Sequence, residues 1–186
     1  MSSSPKLELT FTFAVTAMIS VIYMISRNLL QSVIASSYSN SSVIKFASAI
    51  GLISTAIVPF IYVSFLLLST YVMVLLFNGK GKINILLSKM GYCMLPILFS
   101  SLFSYYILLD LENSGASVSN PDQLKAIKMT FSLTLENLNV IANMSYVGVY
   151  IILILVLKKY FRLSILSSLL SAAVPSVIFI LMRLIL

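Results

Sequence analysis

Phe77-Asn78-Gly79-Lys80-Gly81-Lys82, residues 77–82, is a short basic, glycine-rich break between long apolar runs. Upstream of it, residues 43–77 carry a single charge, Lys45. Downstream, Gly91-Tyr92-Cys93-Met94-Leu95-Pro96 opens an apolar run that continues to Leu109. A helix needs about 20 apolar residues to cross a hydrocarbon core. The downstream run supplies about that many and the upstream run more, the surplus meaning a tilted helix or a first turn or two lying on the surface. The break therefore reads as a loop between two membrane helices.

Composition extends the reading to the whole chain. Of 186 residues, 60% are hydrophobic and 9% charged, whereas an ordinary soluble domain is about a quarter charged. So much apolar surface needs lipid as its solvent, and helices satisfy their own backbone polar groups there. The expected fold is all-α: a polytopic bundle of five transmembrane helices forming a single membrane domain over residues 1–186. The spans fall at about 9–35, 43–77, 91–109, 138–157 and 165–186, with amphipathic pieces at about 82–90 and 124–135. A small-residue sequence at Val33-Ile34-Ala35 imitates a signal-peptide cleavage site. The apolar region before it is too long and Arg27 lies on the wrong side of it, so the first span is expected to stay as an anchor.

Pro59, Pro96 and Pro175 each interrupt a span. Each removes a backbone donor and should kink its helix. Broken helices also expose backbone groups to substrates in transporters, but no paired, inverted interruption relates two halves of this chain. Small residues recur every four positions at Ala47, Gly51 and Thr55, and again at Ser164, Ser168 and Ala172. Both stripes suit close helix packing.

Charge sets the expected orientation. The N-terminus and the loops at 78–90 and 158–163 hold Lys6, Lys80, Lys82, Lys89, Lys158, Lys159 and Arg162 against Glu8 alone. The opposite side holds Arg27, Lys45, Lys125, Lys128 and Arg183 against Asp110, Glu112, Asp122 and Glu136. Short basic loops face the cytoplasm, which puts the N-terminus inside and the C-terminus outside. The net charge of +7 is explained by this topology and implies no nucleic-acid partner.

Histidine is absent and cysteine occurs once. That excludes histidine acid–base chemistry, the common His/Cys zinc sites and an intrachain disulfide. Cys93 sits in an apolar run and reads as a packing residue. No enzyme activity and no cofactor are expected. Gly79-Lys80-Gly81-Lys82 lacks the preceding strand and the Gly-Lys-Ser/Thr ending of a nucleotide loop.

Two segments carry a family resemblance. One is Leu75-Leu76-Phe77-Asn78-Gly79-Lys80-Gly81-Lys82-Ile83 running to Gly91-Tyr92-Cys93-Met94-Leu95-Pro96. The other runs from Leu153 to Pro175 and includes Leu157-Lys158-Lys159-Tyr160-Phe161-Arg162-Leu163-Ser164. A basic Gly-x-Gly loop, Gly-Tyr-x-x-x-Pro in the third span, a second basic loop and a mid-helix proline in the fifth span resemble the bacterial branch of the Yip (Ypt-interacting protein) membrane family. Asn78 stands where that pattern more often has glycine. The resemblance implies five membrane helices with a cytoplasmic N-terminus. It further implies a scaffold or accessory role, either binding other membrane proteins or organising the bilayer, with an exporter accessory subunit in peptide-toxin defence as the alternative. It carries over no catalytic residue.

Two groups of polar residues are candidate sites. Arg27, Glu136, Arg183, Asp110 and Glu112 lie near the expected outer boundary, where Arg27 or Arg183 either pairs with Glu136 or snorkels to headgroups. Lys80, Lys82, Lys89, Lys158, Lys159 and Arg162 are candidates for cytoplasmic docking or for lipid-headgroup contact. The expected partners are the lipid bilayer and another membrane protein or a second copy of the chain. The expected location is the bacterial cytoplasmic (inner) membrane.

Overall fold

A computed structural model describes residues 5–35, 42–113 and 133–185. Five helices follow one another, α1 (Pro5–Ala35), α2 (Ser42–Leu76), α3 (Ile83–Asn113), α4 (Leu135–Phe161) and α5 (Ile165–Ile185), and no strand occurs among the described residues. Four stretches are long and apolar enough to cross a membrane: Lys6–Ser32, Ala49–Leu76, Ile83–Asn113 and Glu136–Phe161. The described apolar part of α5, Ile165–Pro175, is shorter. Four such helices are what an integral, multi-pass membrane protein requires.

The helix surfaces are inverted relative to a soluble protein. On α1 the buried face is Thr12, Val15, Thr16, Ile19, Ser20 and Ile22, while Phe13, Met18, Val21 and Ile25 are exposed. Elsewhere Leu76 is 68% exposed and Phe99 and Met144 each 67%. Lipid makes outward apolar residues cost nothing, so small residues can take the inside positions, where they let backbones approach.

The boundaries differ from the sequence expectation in two places. Lys158 and Lys159, expected in a loop at 158–163, form the last turn of α4, which runs on to Phe161. The amphipathic piece at 82–90 and the span at 91–109 form one unbroken helix, α3. Gly91, expected near its start, is buried inside it. The polar residues Asp110, Glu112 and Asn113 also continue that helix. Pro59, Pro96 and Pro175 all lie inside helices. The expected amphipathic helix at 124–135 falls outside the described residues up to residue 132.

Helix ends follow local chemistry. Thr134 caps α4 through a reciprocal box: its N–H and hydroxyl donate to Asn137 Oδ1 at 2.9 and 2.8 Å, and the Asn137 N–H returns to its Oγ1 at 3.4 Å. Asn137 thereby closes the cap with its side-chain oxygen. Ser164 caps α5, with its hydroxyl accepting from the Ser167 N–H at 3.1 Å.

The chain forms two compact units. One comprises Met1–Ala17, Phe60–Pro96 and Tyr146–Leu186; the other comprises Met18–Pro59 and Ile97–Ser145. Two of the changes from one unit to the other coincide with Pro59 and Pro96, where the ladder of helix hydrogen bonds loses a donor. The first unit has a core of Leu66, Val74, Leu86, Met90, Met94, Leu153, Leu157 and Phe161. Ser168, Ser171 and Ala172 of α5 are buried in it, as the small-residue stripe suggests. The core of the second unit includes Ile19, Ile97, Ile107, Leu111 and Leu138.

Candidate functional site: the joined basic loops

The first basic loop begins where α2 stops. Asn78 adopts a left-handed conformation with φ of 55°. Its N–H donates to the Leu75 carbonyl at 3.0 Å, and the Gly79 N–H donates to the Val74 carbonyl at 2.8 Å. This is a Schellman closure with Asn78 at the position glycine most often takes. Asparagine tolerates that region better than most side chains. The second basic loop begins in the same conformation, with Arg162 at φ of 56° just past α4.

The two loops are joined. The Lys80 N–H donates to the carbonyl of Phe161 at 3.0 Å, an oxygen left without a helical partner at the end of α4. Gly81 lies on the buried Phe161 ring, where a Cβ would sit 2.4 Å from Cδ1 and Cε1. A Cβ on Gly79 would meet Val74 at 2.6 Å and Leu163 at 3.2 Å. The glycines of Gly79-Lys80-Gly81 therefore give the loop room to lie on the α4–α5 connection. Left-handed backbone is supplied by Asn78, and neither glycine takes it.

Five of the six basic candidates, Lys80, Lys82, Lys158, Lys159 and Arg162, are exposed around this junction. Lys89 differs. It pairs with Glu8 of α1 and lies over the rings of Tyr92 at 5.6 Å and Tyr160 at 4.8 Å. Lys159 lies 5.5 Å from the centre of the Tyr160 ring as well. Lys89 thus ties the start of α1 to α3.

Beneath the loops, α1 and α3 approach closely at a residue to which the sequence reading gave no role. The Thr12 hydroxyl accepts the Gly91 N–H at 2.9 Å and donates toward the Leu87 carbonyl at 3.0 Å. That carbonyl is the acceptor a regular helix assigns to the Gly91 N–H. A Cβ on Gly91 would lie 2.8 Å from Thr12 Cα. The rest of Gly-Tyr-x-x-x-Pro is accounted for nearby. Tyr92 packs on Phe11 with ring centres 4.9 Å apart, and Pro96 packs against Gly148 of α4. The spacing of Thr12, Thr16 and Ser20 at every fourth residue was the available sequence signal. Thr12→Val is expected to lower stability by about 1–2 kcal/mol, since it removes a buried hydrogen-bonding group and leaves its partners in place. Thr12→Ser should recover most of that loss in thermal unfolding in detergent.

Four of the outer-boundary candidates, Arg27, Asp110, Glu112 and Glu136, sit in the second unit. Arg27 does not pair with Glu136. Its Nη1 donates to Thr55 Oγ1 at 2.9 Å, and its guanidinium lies over Gly51. The small-residue stripe on α2 therefore receives an arginine head where helix packing was expected. Glu136 is exposed in the first turn of α4, where the helix dipole favours a carboxylate. Glu112 accepts from the Ser32 hydroxyl at 2.7 Å, and Asp110 is exposed. The Arg183 side chain lies outside the described residues. At Gly51 an added Cβ would meet the Arg27 Nη2 at 2.3 Å, but this is the tip of a flexible side chain. Gly51→Ala is therefore expected to leave stability within about 1 kcal/mol of wild type, helix propensity offsetting the lost contact, as thermal unfolding would show.

A cleft of about 180 Å³ in the same unit is lined by Tyr23, Ser26, Thr55, Ser100, Ser101, Ser104 and Ala142. The Ser100 and Ser101 hydroxyls turn back to carbonyls of their own helix at 3.0 and 2.8 Å. Cys93 is fully buried, in keeping with a packing thiol.

No family model matches the chain, and neither a curated protein nor a solved structure is significantly similar to it.

Proposed function

We propose that this chain is a non-enzymatic membrane scaffold or accessory protein of the bacterial cytoplasmic membrane, related to the bacterial branch of the Yip family. The observation that carries the reading is the join between the two basic loops. It turns Lys80, Lys82, Lys158, Lys159 and Arg162 into one exposed cationic face. The resemblance adds support, because its two segments meet where Lys80 bonds to the Phe161 carbonyl and again where Gly81 lies on the Phe161 ring. In this reading α5 is a fifth crossing, the joined loops and the N-terminus face the cytoplasm, and the C-terminus lies outside. The start of α1 and both basic loops belong to one compact unit, and they are the stretches that charge assigns to one side.

The partner is another membrane protein or a second copy of this chain. Purification in mild detergent should recover a stoichiometric membrane partner or a defined oligomer. Replacing Lys158, Lys159 and Arg162 together with Glu should abolish that recovery. A monomer that purifies alone and catalyses solute uptake in liposomes would overturn the proposal. For orientation, Asn78→Cys in a Cys93→Ser background should react with an impermeant maleimide only from the cytoplasmic side.

A second reading, a transport component such as the accessory membrane subunit of an exporter in peptide-toxin defence, draws on the hydroxyl-lined cleft. Thr55 accepts from Arg27 beside it, and Ser26 Oγ is buried with no hydrogen-bond partner among the described residues. Uptake or export that Ser26→Ala or Ser101→Ala alters would favour this reading.

A further inference from the structure

We infer that the joined loops form a clamp for the headgroup of a phospholipid carrying two or more phosphates. The inference deepens the proposed function and rests on its placement of the loops at the membrane surface. Five exposed cations surround the junction, and the segments 77–82 and 158–164 contain no acidic residue. Glu8, the acid at the start of α1, is engaged by Lys89.

The cations are not on independent tethers. The bond from the Lys80 N–H to the Phe161 carbonyl and the seating of Gly81 on the Phe161 ring fix one loop on the other. The left-handed turns at Asn78 and Arg162 end the two helices beside this junction. Clustered cations held in one place favour a headgroup that presents more than one phosphate over a headgroup that presents one.

The surroundings select a lipid over a soluble anion. Leu75, Leu76, Ile165 and Leu166 flank the loops at the ends of α2 and α5 and are 54%, 68%, 64% and 66% exposed. Lysine and arginine heads within a turn of such residues lie at phosphate level while the leucines and isoleucines meet acyl chains. A soluble acidic peptide would satisfy the charges and leave that apolar border in water.

The test uses the full chain in detergent and counts bound lipid by native mass spectrometry. The probes are tetraoleoyl cardiolipin, with two phosphates, and dioleoyl phosphatidylglycerol, with one, compared at equal total phosphate. Cardiolipin should bind about tenfold more tightly, an order of magnitude in keeping with the usual gain per basic residue near an anionic surface. Lys80→Gln with Lys82→Gln, and separately Lys158→Gln with Lys159→Gln and Arg162→Gln, should each remove most of that preference. Lys125→Gln with Lys128→Gln, matched in charge to the Lys80 and Lys82 pair and in the segment assigned to the other side, should keep it. Thermal unfolding should show the loop variants folded, since Lys80, Lys82, Lys158, Lys159 and Arg162 are exposed.

Equal affinity for the two lipids would overturn the clamp, as would equal losses in the loop variants and the control. Displacement of cardiolipin by millimolar pyrophosphate or by poly-glutamate would overturn it too, showing that charge alone is recognised. If the clamp fails while the partner or oligomer still co-purifies, the scaffold reading stands. If maleimide reaches Asn78→Cys only from outside, the placement on which both depend fails.

Discussion

Gly91→Ala is expected to destabilise the protein by about 3 kcal/mol, the upper part of the range for overpacked cores. Intrinsic propensity argues the other way, because alanine in a helix is favoured over glycine by about 1 kcal/mol. Sterics should win because of what the new Cβ would meet. Thr12 Cα lies 2.8 Å and Thr12 N 3.0 Å from its position, and both are backbone atoms of a neighbouring helix. Neither can rotate away as the Arg27 head can at Gly51. The prediction has a sharp corollary. Thr12→Ala in the Gly91→Ala background should rescue nothing, because the collision is with main chain. Thermal unfolding in detergent for Gly91→Ala, Gly51→Ala and the Thr12→Ala double variant measures all three. A wild-type melting temperature for Gly91→Ala would mean that α1 and α3 do not approach as described.

The second large effect is at Phe161. It is among the largest fully buried side chains, with no exposed surface, and it ends α4. Phe161→Ala should cost about 3–5 kcal/mol through lost burial and the cavity left behind. It should also loosen the loop junction, since the ring is the floor on which Gly81 lies. Gly81→Ala approaches the same contact from the other side, its Cβ entering the ring at 2.4 Å. Here the obstacle is a side chain, so pairing Gly81→Ala with Phe161→Leu should recover part of the loss. A double-mutant cycle should give a coupling of about 1–3 kcal/mol between the two positions. Strict additivity would show that the loops do not touch there.

These two glycines show how far the motifs could be read from sequence. Gly-x-Gly in a basic loop and Gly-Tyr-x-x-x-Pro in a span are visible as patterns, but the reason for each glycine is a partner 70 or more positions away. Gly81 is small because of Phe161, and Gly91 is small because of Thr12. Sequence also marked the basic residues of the two loops and, through charge, grouped them on one side. It did not show that Lys89 is engaged by Glu8 and Tyr160, which requires α1 and α4 to stand beside α3. The sequence marked Arg27 as a charge that needs an explanation. Its acceptor is a hydroxyl on the small-residue stripe of α2, while Glu136 is exposed in the first turn of α4.

The sequence by itself determined that the chain is helical and built for a bilayer. Apolar runs of sufficient length with few charges leave no other solvent for them, and a helix satisfies its own backbone there. Asn78, Thr134 and Ser164 shape helix ends through neighbours within a few residues, so those ends are local in origin. Only the tertiary structure decided that the two basic loops make one surface, and that a threonine hydroxyl lies between two backbone groups of α3. Those outcomes depend on which helices become neighbours, and hydropathy is nearly the same on all of them.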